Sequence, residues 1–326
     1  MNIIVRMPNW IGDLVMATPV LTDLKRAFPK SSITAMCRTP ICDLLKEDEA
    51  VDELFCFRKG SDLFRREDRN IIEKIRAGKF DLGILLTNSF SSAWWFWLGA
   101  VKRRIGYSKH FRSLLLTDSL EFQEEHHVDR YKRLLTPLGI EKSNTAPRIF
   151  LQKKEIEEAK TLLMQRGYRG GKLIGINPGA AYGLAKCWPA ERYKALAMRL
   201  LLETDATIVF FGDESVKTIS QGLPERVIDL AGVTSLRELC CLIQLCSVLV
   251  TNDSGPMHIG AALGTPLVAL FGSTDDRATG PYGQKESVIN KRVSCSPCLK
   301  RVCPIDFRCM TQISVDEVLA KVLNYV

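Results

Sequence analysis

Residues Thr251–Phe271 read TNDSGPMHIGAALGTPLVALF, and their order decides the fold. An apolar run, Ser247–Thr251, breaks into Asn252-Asp253-Ser254-Gly255-Pro256 and restarts as a small-residue segment carrying His258. After Gly264-Thr265-Pro266 a second apolar run begins. This is strand, polar turn, helix, strand, the unit from which parallel sheets are built. Asp253 or Ser254 is placed to cap the helix, and Pro256 suits its first turn. The backbone N–H groups at such a helix start attract anions, phosphate in particular. Gly260, Ala261 and Ala262 let the helix lie close to the sheet, which puts Asp253, Ser254 and His258 at the carboxyl ends of the strands, where open α/β sheets bind ligands. A well-capped crossover with no ligand satisfies the same twenty-one residues, so the rest of the chain has to decide.

Upstream, strands are expected at Leu173–Ile176, Ala206–Phe211 and Val227–Asp229, alternating with helices at Ala190–Glu203, Ser215–Leu223 and Ser235–Leu245. The loop Asn177–Pro189 (NPGAAYGLAKCWP) contains glycines and a single lysine, Lys186, just before a helix, the composition of a diphosphate cradle. A charged helix, Glu155–Gln165, precedes this half. Residues 141–149 lack hydrophobic periodicity and are expected to join two domains, 1–150 and 151–326.

The first half repeats the pattern. Strands are expected at Asn2–Arg6, Ser32–Cys37, Glu53–Phe57 and Asp81–Thr87, with helices at Asp13–Phe28, Pro40–Lys46 and Asn70–Ala77. Between the first strand and the first helix lies Met7-Pro8-Asn9-Trp10-Ile11-Gly12, which delivers Asp13 to the helix start. A carboxylate there either favours the helix dipole or serves as a general base facing a cleft. Arg58, Lys59, Arg65, Arg66 and Arg69 crowd a dozen positions and can hold an acceptor that bears phosphates. Trp94, Trp95 and Trp97 lie on a helical stretch followed by Arg103-Arg104, read as core with at most a membrane-surface contact. His126 and His127 are adjacent, point different ways on a helix and do not suit paired metal ligation.

With 326 residues, 46% hydrophobic and 25% charged, the chain has room for two domains. A formal charge of +8 suits an anionic partner without specifying nucleic acid. Met1 leads straight into a strand without a secretory pattern, so a cytoplasmic location with its eleven cysteines reduced is expected. The apolar run Ala93–Val101 is about half of the ~20 residues that span a bilayer. Neither half carries G-x-G-x-x-G or G-x-x-x-x-G-K-[ST], against a dinucleotide dehydrogenase or a P-loop NTPase.

Taken in order, Met7–Ala17 (MPNWIGDLVMA), Asn177–Pro189 and Thr251–Phe271 resemble the ADP-heptose:lipopolysaccharide heptosyltransferases, glycosyltransferase family 9, most closely the heptosyltransferase II branch. The resemblance covers essentially the whole chain. It implies an α/β GT-B fold of two facing Rossmann-like, doubly wound parallel-sheet domains, the first binding acceptor and the second the ADP-sugar. It further implies inverting transfer of heptose from ADP-L-glycero-D-manno-heptose to the inner core of lipopolysaccharide, without a catalytic metal or other cofactor. The second heptose is the expected addition. The acceptor, linked to lipid A, would be met at the cytoplasmic face of the inner membrane by a peripherally associated protein.

On this resemblance Asp13 is the base and Lys186 offsets charge on departing ADP. Ser254, Gly255 and Met257 offer backbone N–H groups, His258 lies by the diphosphate, and Asp253 orients the loop or meets sugar hydroxyls. Tyr182 is a further donor-site candidate, either Asp213 or Glu214 meets the ribose, and Thr234 contacts adenine. Asn9, Trp10, Gly12, Arg58, Arg65 and Arg66 are the acceptor-side candidates. Cys295, Cys298, Cys303 and Cys309 have a spacing open to zinc or an iron–sulfur cluster. A similar loop in the branch is not a required cofactor site, so no metal is expected. The last helix, Val315–Leu323, opens on a capping box and by analogy packs back on the first domain. The alternatives are a heptosyltransferase I or III, another ADP-sugar transferase, or a non-catalytic nucleotide- or metal-binding envelope regulator.

Overall fold

The structure, a computed structural model, describes residues 1–58 and 66–326, the side chain of Arg66 excepted. The chain divides into two units, Met1–Phe150 and Leu151–Val326. In the first, β1 (Asn2–Arg6) leads to α1 (Ile11–Ala27), then β2 (Ser32–Arg38), a 3-10 turn at Ile41–Leu45, β3 (Glu53–Phe57), α2 (Arg66–Ala77), β4 (Leu82–Leu85) and α3 (Phe90–Leu98). It continues with β5 (Arg103–Tyr107), a 3-10 turn at Arg112–Leu115, β6 (Asp118–Leu120) and α4 (His127–Arg133). The sheet order is β3-β2-β1-β4-β5-β6, every neighbour parallel. Ile3, Ile4 and Val5 of β1 are fully buried, as a central strand covered on both faces requires.

The second unit runs α5 (Lys153–Gln165), β7 (Leu173–Asn177), α6 (Ala190–Glu203), β8 (Thr207–Phe210), α7 (Lys217–Ser220), β9 (Val227–Asp229), α8 (Leu236–Leu245), β10 (Val248–Asn252) and α9 (Gly255–Leu263). It closes with β11 (Leu267–Phe271), α10 (Asp276–Thr279), β12 (Val288–Asn290), α11 (Arg308–Thr311) and α12 (Val315–Leu323). Its order, β12-β11-β10-β7-β8-β9, is again parallel throughout. Counted within each unit, both sheets are 3-2-1-4-5-6, the doubly wound order whose switch point lies between the first and fourth strands. An added Cβ at Gly260 would stand 2.7 Å from Leu267 Cδ2, so α9 lies against the sheet as closely as its small residues permit.

Several local expectations need correction. Arg103 and Arg104 do not flank an aromatic stripe as loose basic groups: they lie in β5. Arg103 pairs with Asp118, Nη2 to Oδ1 at 2.7 Å, and Arg104 donates to the carbonyls of Leu115 at 2.7 Å and Val101 at 2.5 Å. The aperiodic segment near residue 145 is strapped to α1, with Ser143 and Thr145 donating to the buried Asp23 carboxylate at 2.6 and 2.7 Å. It belongs to the first unit. Within the second unit α12 packs on α6 and β11, and Ser314 Oγ caps it by accepting from Glu317 N at 3.2 Å.

Candidate active site

The switch point of the first unit lies beyond β1 and β4. Arg6, the last residue of β1, is buried, and it braces the following loop by donating to Asn9 Oδ1 at 2.6 Å and to the Met7 carbonyl. Its guanidinium stacks over Phe57 at 4.8 Å, and burial lowers its pKa to about 10. So braced, the loop ends at Trp10, the exposed N-cap of α1, and Asp13 falls in the first helical turn. The Asp13 side chain is 29% exposed. Its Oδ1 accepts from Tyr131 Oη at 3.0 Å and lies 3.2 Å from His127 Nδ1. An ionised carboxylate only accepts, so Nδ1 carries the hydrogen in that pair. His127 and Tyr131 are four residues apart on α4, which brings both to one face. Burial and the neighbouring Asp13 charge push the Tyr131 phenol well above its ordinary pKa, so it remains a donor.

The two histidines diverge. His126 Nδ1 accepts from Val128 N at 3.2 Å and caps α4, while His127 reaches Asp13. Of the other acceptor-side candidates, Asn9 gives its amide oxygen to Arg6, Gly12 is half-buried in α1, and Arg58 is exposed just past β3. Arg66 opens α2, and Arg65 lies outside the described residues.

At the switch point of the second unit β7 and β10 pair, so the loops that follow them are neighbours. Lys186 Nζ meets Asp253 Oδ2 at 2.5 Å, with side-chain exposures of 13% and 4%, and Thr274 donates to the same oxygen at 2.6 Å. Asn177 Nδ2 donates to Ser254 Oγ at 3.2 Å, and Thr251 Oγ1 lies 3.2 Å from that hydroxyl. Asn252 holds the two loops together: its Oδ1 accepts from Trp188 N at 3.1 Å and Tyr193 Oη at 2.7 Å, and its Nδ2 donates to the Pro178 carbonyl at 2.5 Å. Ser254 is the N-cap residue of α9 but makes no side-chain cap. The expected cap is therefore replaced, because the Ser254 hydroxyl is bound to Asn177 and the Asp253 carboxylate to Lys186 and Thr274.

Lys186 Nζ also lies 4.8 Å from the Tyr182 ring, whose other cation contact is Arg301 at 5.4 Å. The Tyr182 hydroxyl donates to the Leu299 carbonyl at 2.8 Å, so Tyr182 supports the lysine through its ring. Gly183 has φ +153°, and a Cβ there would come 2.5 Å from the Arg301 carbonyl oxygen, which explains glycine at that point of the loop. Gly255 opens α9, His258 is buried in its early turns, and Met257 is fully buried with its N–H already given to the Ser254 carbonyl at 3.2 Å.

The remaining donor-side candidates lie further along the sheet. Asp213 accepts from Ser215 N at 2.9 Å and Ser215 Oγ at 2.5 Å, while Glu214 is exposed beside Lys217. Thr234 stands half-buried just before Ser235, which caps α8. Cys295, Cys298, Cys303 and Cys309 line a cavity of 130 Å³ together with Ser273, and burial raises the Cys309 thiol pKa. Among the described residues no group of three or more His, Cys, Asp or Glu is arranged to hold a metal ion.

Two parallel six-stranded units of this order, one with a helix-start carboxylate and the other with a lysine at an anion-receptive turn, define a two-domain α/β glycosyltransferase of the GT-B fold. Residues 69–307 match the family described as glycosyltransferase family 9 (heptosyltransferase), and the chain belongs to that family. It is 34% identical over 308 residues to lipooligosaccharide heptosyltransferase 2 of Haemophilus ducreyi, covering 89% of this chain and 88% of the relative. Lipopolysaccharide heptosyltransferase 2 of Escherichia coli K12 is 31% identical over 305 residues, with the same coverage of both chains. The solved structure of the E. coli ADP-heptose lps heptosyltransferase II superposes with a TM-score of 0.84 at 27% identity, covering 100% of this chain and 98% of that one.

Proposed function

We propose that this chain transfers heptose from ADP-L-glycero-D-manno-heptose to the inner core of lipopolysaccharide with inversion, adding the second heptose. The observation that carries the mechanism is Asp13, a part-exposed carboxylate at the switch point of the first unit, held through one oxygen by Tyr131 and His127. The acceptor hydroxyl oxygen bonds to the anomeric carbon from the face opposite ADP. The bond from that carbon to the β-phosphate oxygen breaks, and its electron pair leaves with ADP. The hydroxyl proton passes to the Asp13 carboxylate as the new bond forms, so the base needs no high resting basicity.

In the second unit the N–H groups of Ser254 and Gly255 at the start of α9 meet the diphosphate, with His258 beside it. Lys186 leans from Asp253 toward the phosphates and offsets the charge that builds on ADP. Asp213 or Glu214 accepts from the ribose hydroxyls, and Thr234 lies by the adenine. Asn9, Trp10 and Gly12, with Arg58, Arg65 and Arg66, meet the acceptor. No metal takes part in this scheme. Because the acceptor carries lipid A, the protein works peripherally at the cytoplasmic face of the inner membrane. No helix among the described residues is long and apolar enough to cross it.

The test is to incubate the protein with ADP-heptose and core-lipid acceptors carrying no, one or two heptoses and to weigh the products. The one-heptose acceptor should gain one heptose. Gain by another acceptor instead moves the protein to a different branch, and release of ADP without any heavier lipid overturns the transfer.

A further inference from the structure

The first unit carries an exposed aromatic face that its core does not use. Phe90, Trp94 and Trp97 lie three and four residues apart on α3, all exposed, with Phe90–Trp94 centroids at 6.2 Å and Trp94–Trp97 at 5.1 Å. Trp95, on the other side of the helix, is buried against Phe57. The 3-10 turn Arg112–Leu115 packs on α3 and brings two more apolar side chains, Phe111 at 94% and Leu114 at 92% exposure.

That exposure is built. His110 and Phe111 both adopt left-handed backbone, φ 57° and 58°, which non-glycine residues take at a cost. The buried Arg112 then pins the turn, donating to the Tyr107 carbonyl at 2.8 Å, to the Thr87 carbonyl and to Asn88 Oδ1 at 3.3 Å. Thr87 and Asn88 lead directly into α3, so one arginine holds the turn and the aromatic helix together. Both features follow strands β4 and β5 at the carboxyl edge of the sheet, the edge that carries Asp13.

Charge selects the occupant. Residues 81–118 contain five Lys or Arg against two Asp; Lys102 pairs with Asp81 and Arg103 with Asp118, which leaves the charges of Arg104, Lys109 and Arg112 uncompensated by a carboxylate within this segment. Lys109 and His110 immediately precede the exposed Phe111. A cationic face of tryptophan and phenylalanine repels a second copy of itself and suits an anionic lipid surface, where aromatic rings settle at the headgroup level. We infer that the aromatic face of α3, with Phe111 and Leu114, is the surface by which the protein docks on an anionic phospholipid bilayer, next to the edge that receives the lipid-linked acceptor. The docking itself rests only on this surface; its use in catalysis rests on the transfer proposed above.

Flotation of the full-length protein with phosphatidylethanolamine–phosphatidylglycerol vesicles, against phosphatidylcholine vesicles, tests it. The wild type should float with the anionic vesicles and less in high salt. F111S/L114S should lose about tenfold in partitioning, in keeping with the apolar area withdrawn from the interface. Both side chains are almost wholly exposed, so the variant keeps the fold, and circular dichroism checks this. Transfer to a delipidated acceptor should be unchanged, which separates failure of docking from failure of the enzymatic reading. K109E, which keeps the apolar side chains, should lose binding to anionic vesicles alone. Undiminished flotation of F111S/L114S, or no flotation of the wild type, overturns the assignment. So does a dimer that this variant dissociates without changing flotation, since the face would then be a self-interface.

Discussion

Asp13 and Asp253 both stand beside a helix start at the switch point of a 3-2-1-4-5-6 sheet, Asp13 after the first strand of its unit and Asp253 after the fourth. Their surroundings differ. Asp13 is 29% exposed and held by a phenol and an imidazole, whereas Asp253 is 4% exposed and lies against an ammonium and a threonine hydroxyl. A phenol and an imidazole orient a carboxylate and stay in place when it takes a proton. Lys186, by contrast, holds Asp253 as one half of a close ion pair. Two carboxylates at the switch points of like sheets thus have different surroundings, and on the proposed mechanism the first serves as a base and the second as the anchor of a cation.

The comparison is broken most directly at Asp13. Asp13→Asn keeps the shape and the helix start and removes the basic oxygen, so transfer should fall about 10³-fold, within the range for general-base removal. ADP affinity, measured by calorimetry, should stay within about twofold. Retained transfer would give the proton to another group and leave Asp13 as a helix-start residue. For Asp253→Asn the pattern should invert, with weaker ADP binding as the first loss, because Lys186 then lacks its anchor.

Stability should separate the two aspartates in the opposite direction. Removing one partner of a buried ion pair strands the other, which costs about 3 kcal/mol or somewhat more. Asp253→Ala should therefore lower the denaturation midpoint of the second unit markedly, while Asp13→Ala, at a part-exposed site, should shift the first unit by less than about 1 kcal/mol. The double variant K186M/D253L should recover part of the loss, since no charge is left behind. Equal losses for the two single alanine variants would show that Asp253 is no more embedded than Asp13.

Much of this contrast was legible in the sequence, and the missing part has a common cause. β1, β3, α6 and α12 carry strong periodicity and bound themselves where the residues indicate. Three strands at or next to a sheet edge do not: β5 is RRIGY, β6 is DSL and β12 is VIN, too short or too charged to show an apolar period, and they exist because a neighbouring strand offers a ladder. Asp13 and Lys186 stand out because each lies in a loop between a strand and a helix. Their partners are the part that sequence hides. His127 and Tyr131 lie 114 and 118 residues beyond Asp13, and Asp253 lies 67 beyond Lys186. The four-residue spacing of His127 and Tyr131 was the one available signal that both face the same way. The reading of Asp253 or Ser254 as a cap failed for a related reason, because local turn chemistry lost to partners brought in by the sheet.

A smaller effect sharpens the contrast through two tyrosines. Tyr131 and Tyr193 are both buried with pKa values well above the ordinary tyrosine range, but Tyr131 donates to a carboxylate and Tyr193 to the amide oxygen of Asn252. Each has a folded pKa above its unfolded value. Its contribution to stability is therefore complete below about pH 10 and is lost as pH rises above the unfolded tyrosine pKa, by about 1.4 kcal/mol per pH unit. Tyr131→Phe and Tyr193→Phe should each remove one proton's share of this alkaline loss, read as a shallower fall of the denaturation midpoint between about pH 10 and 11. At neutral pH they should part. Tyr131→Phe should slow transfer about tenfold at unchanged ADP affinity, as expected when a hydrogen bond to a charged group is lost. Tyr193→Phe should leave turnover at saturating donor nearly intact and weaken donor binding, because it loosens Asn252 and the loop that carries Lys186. If both variants slowed transfer alike with donor affinity unchanged, Tyr131 would be a packing residue with no particular part in orienting Asp13.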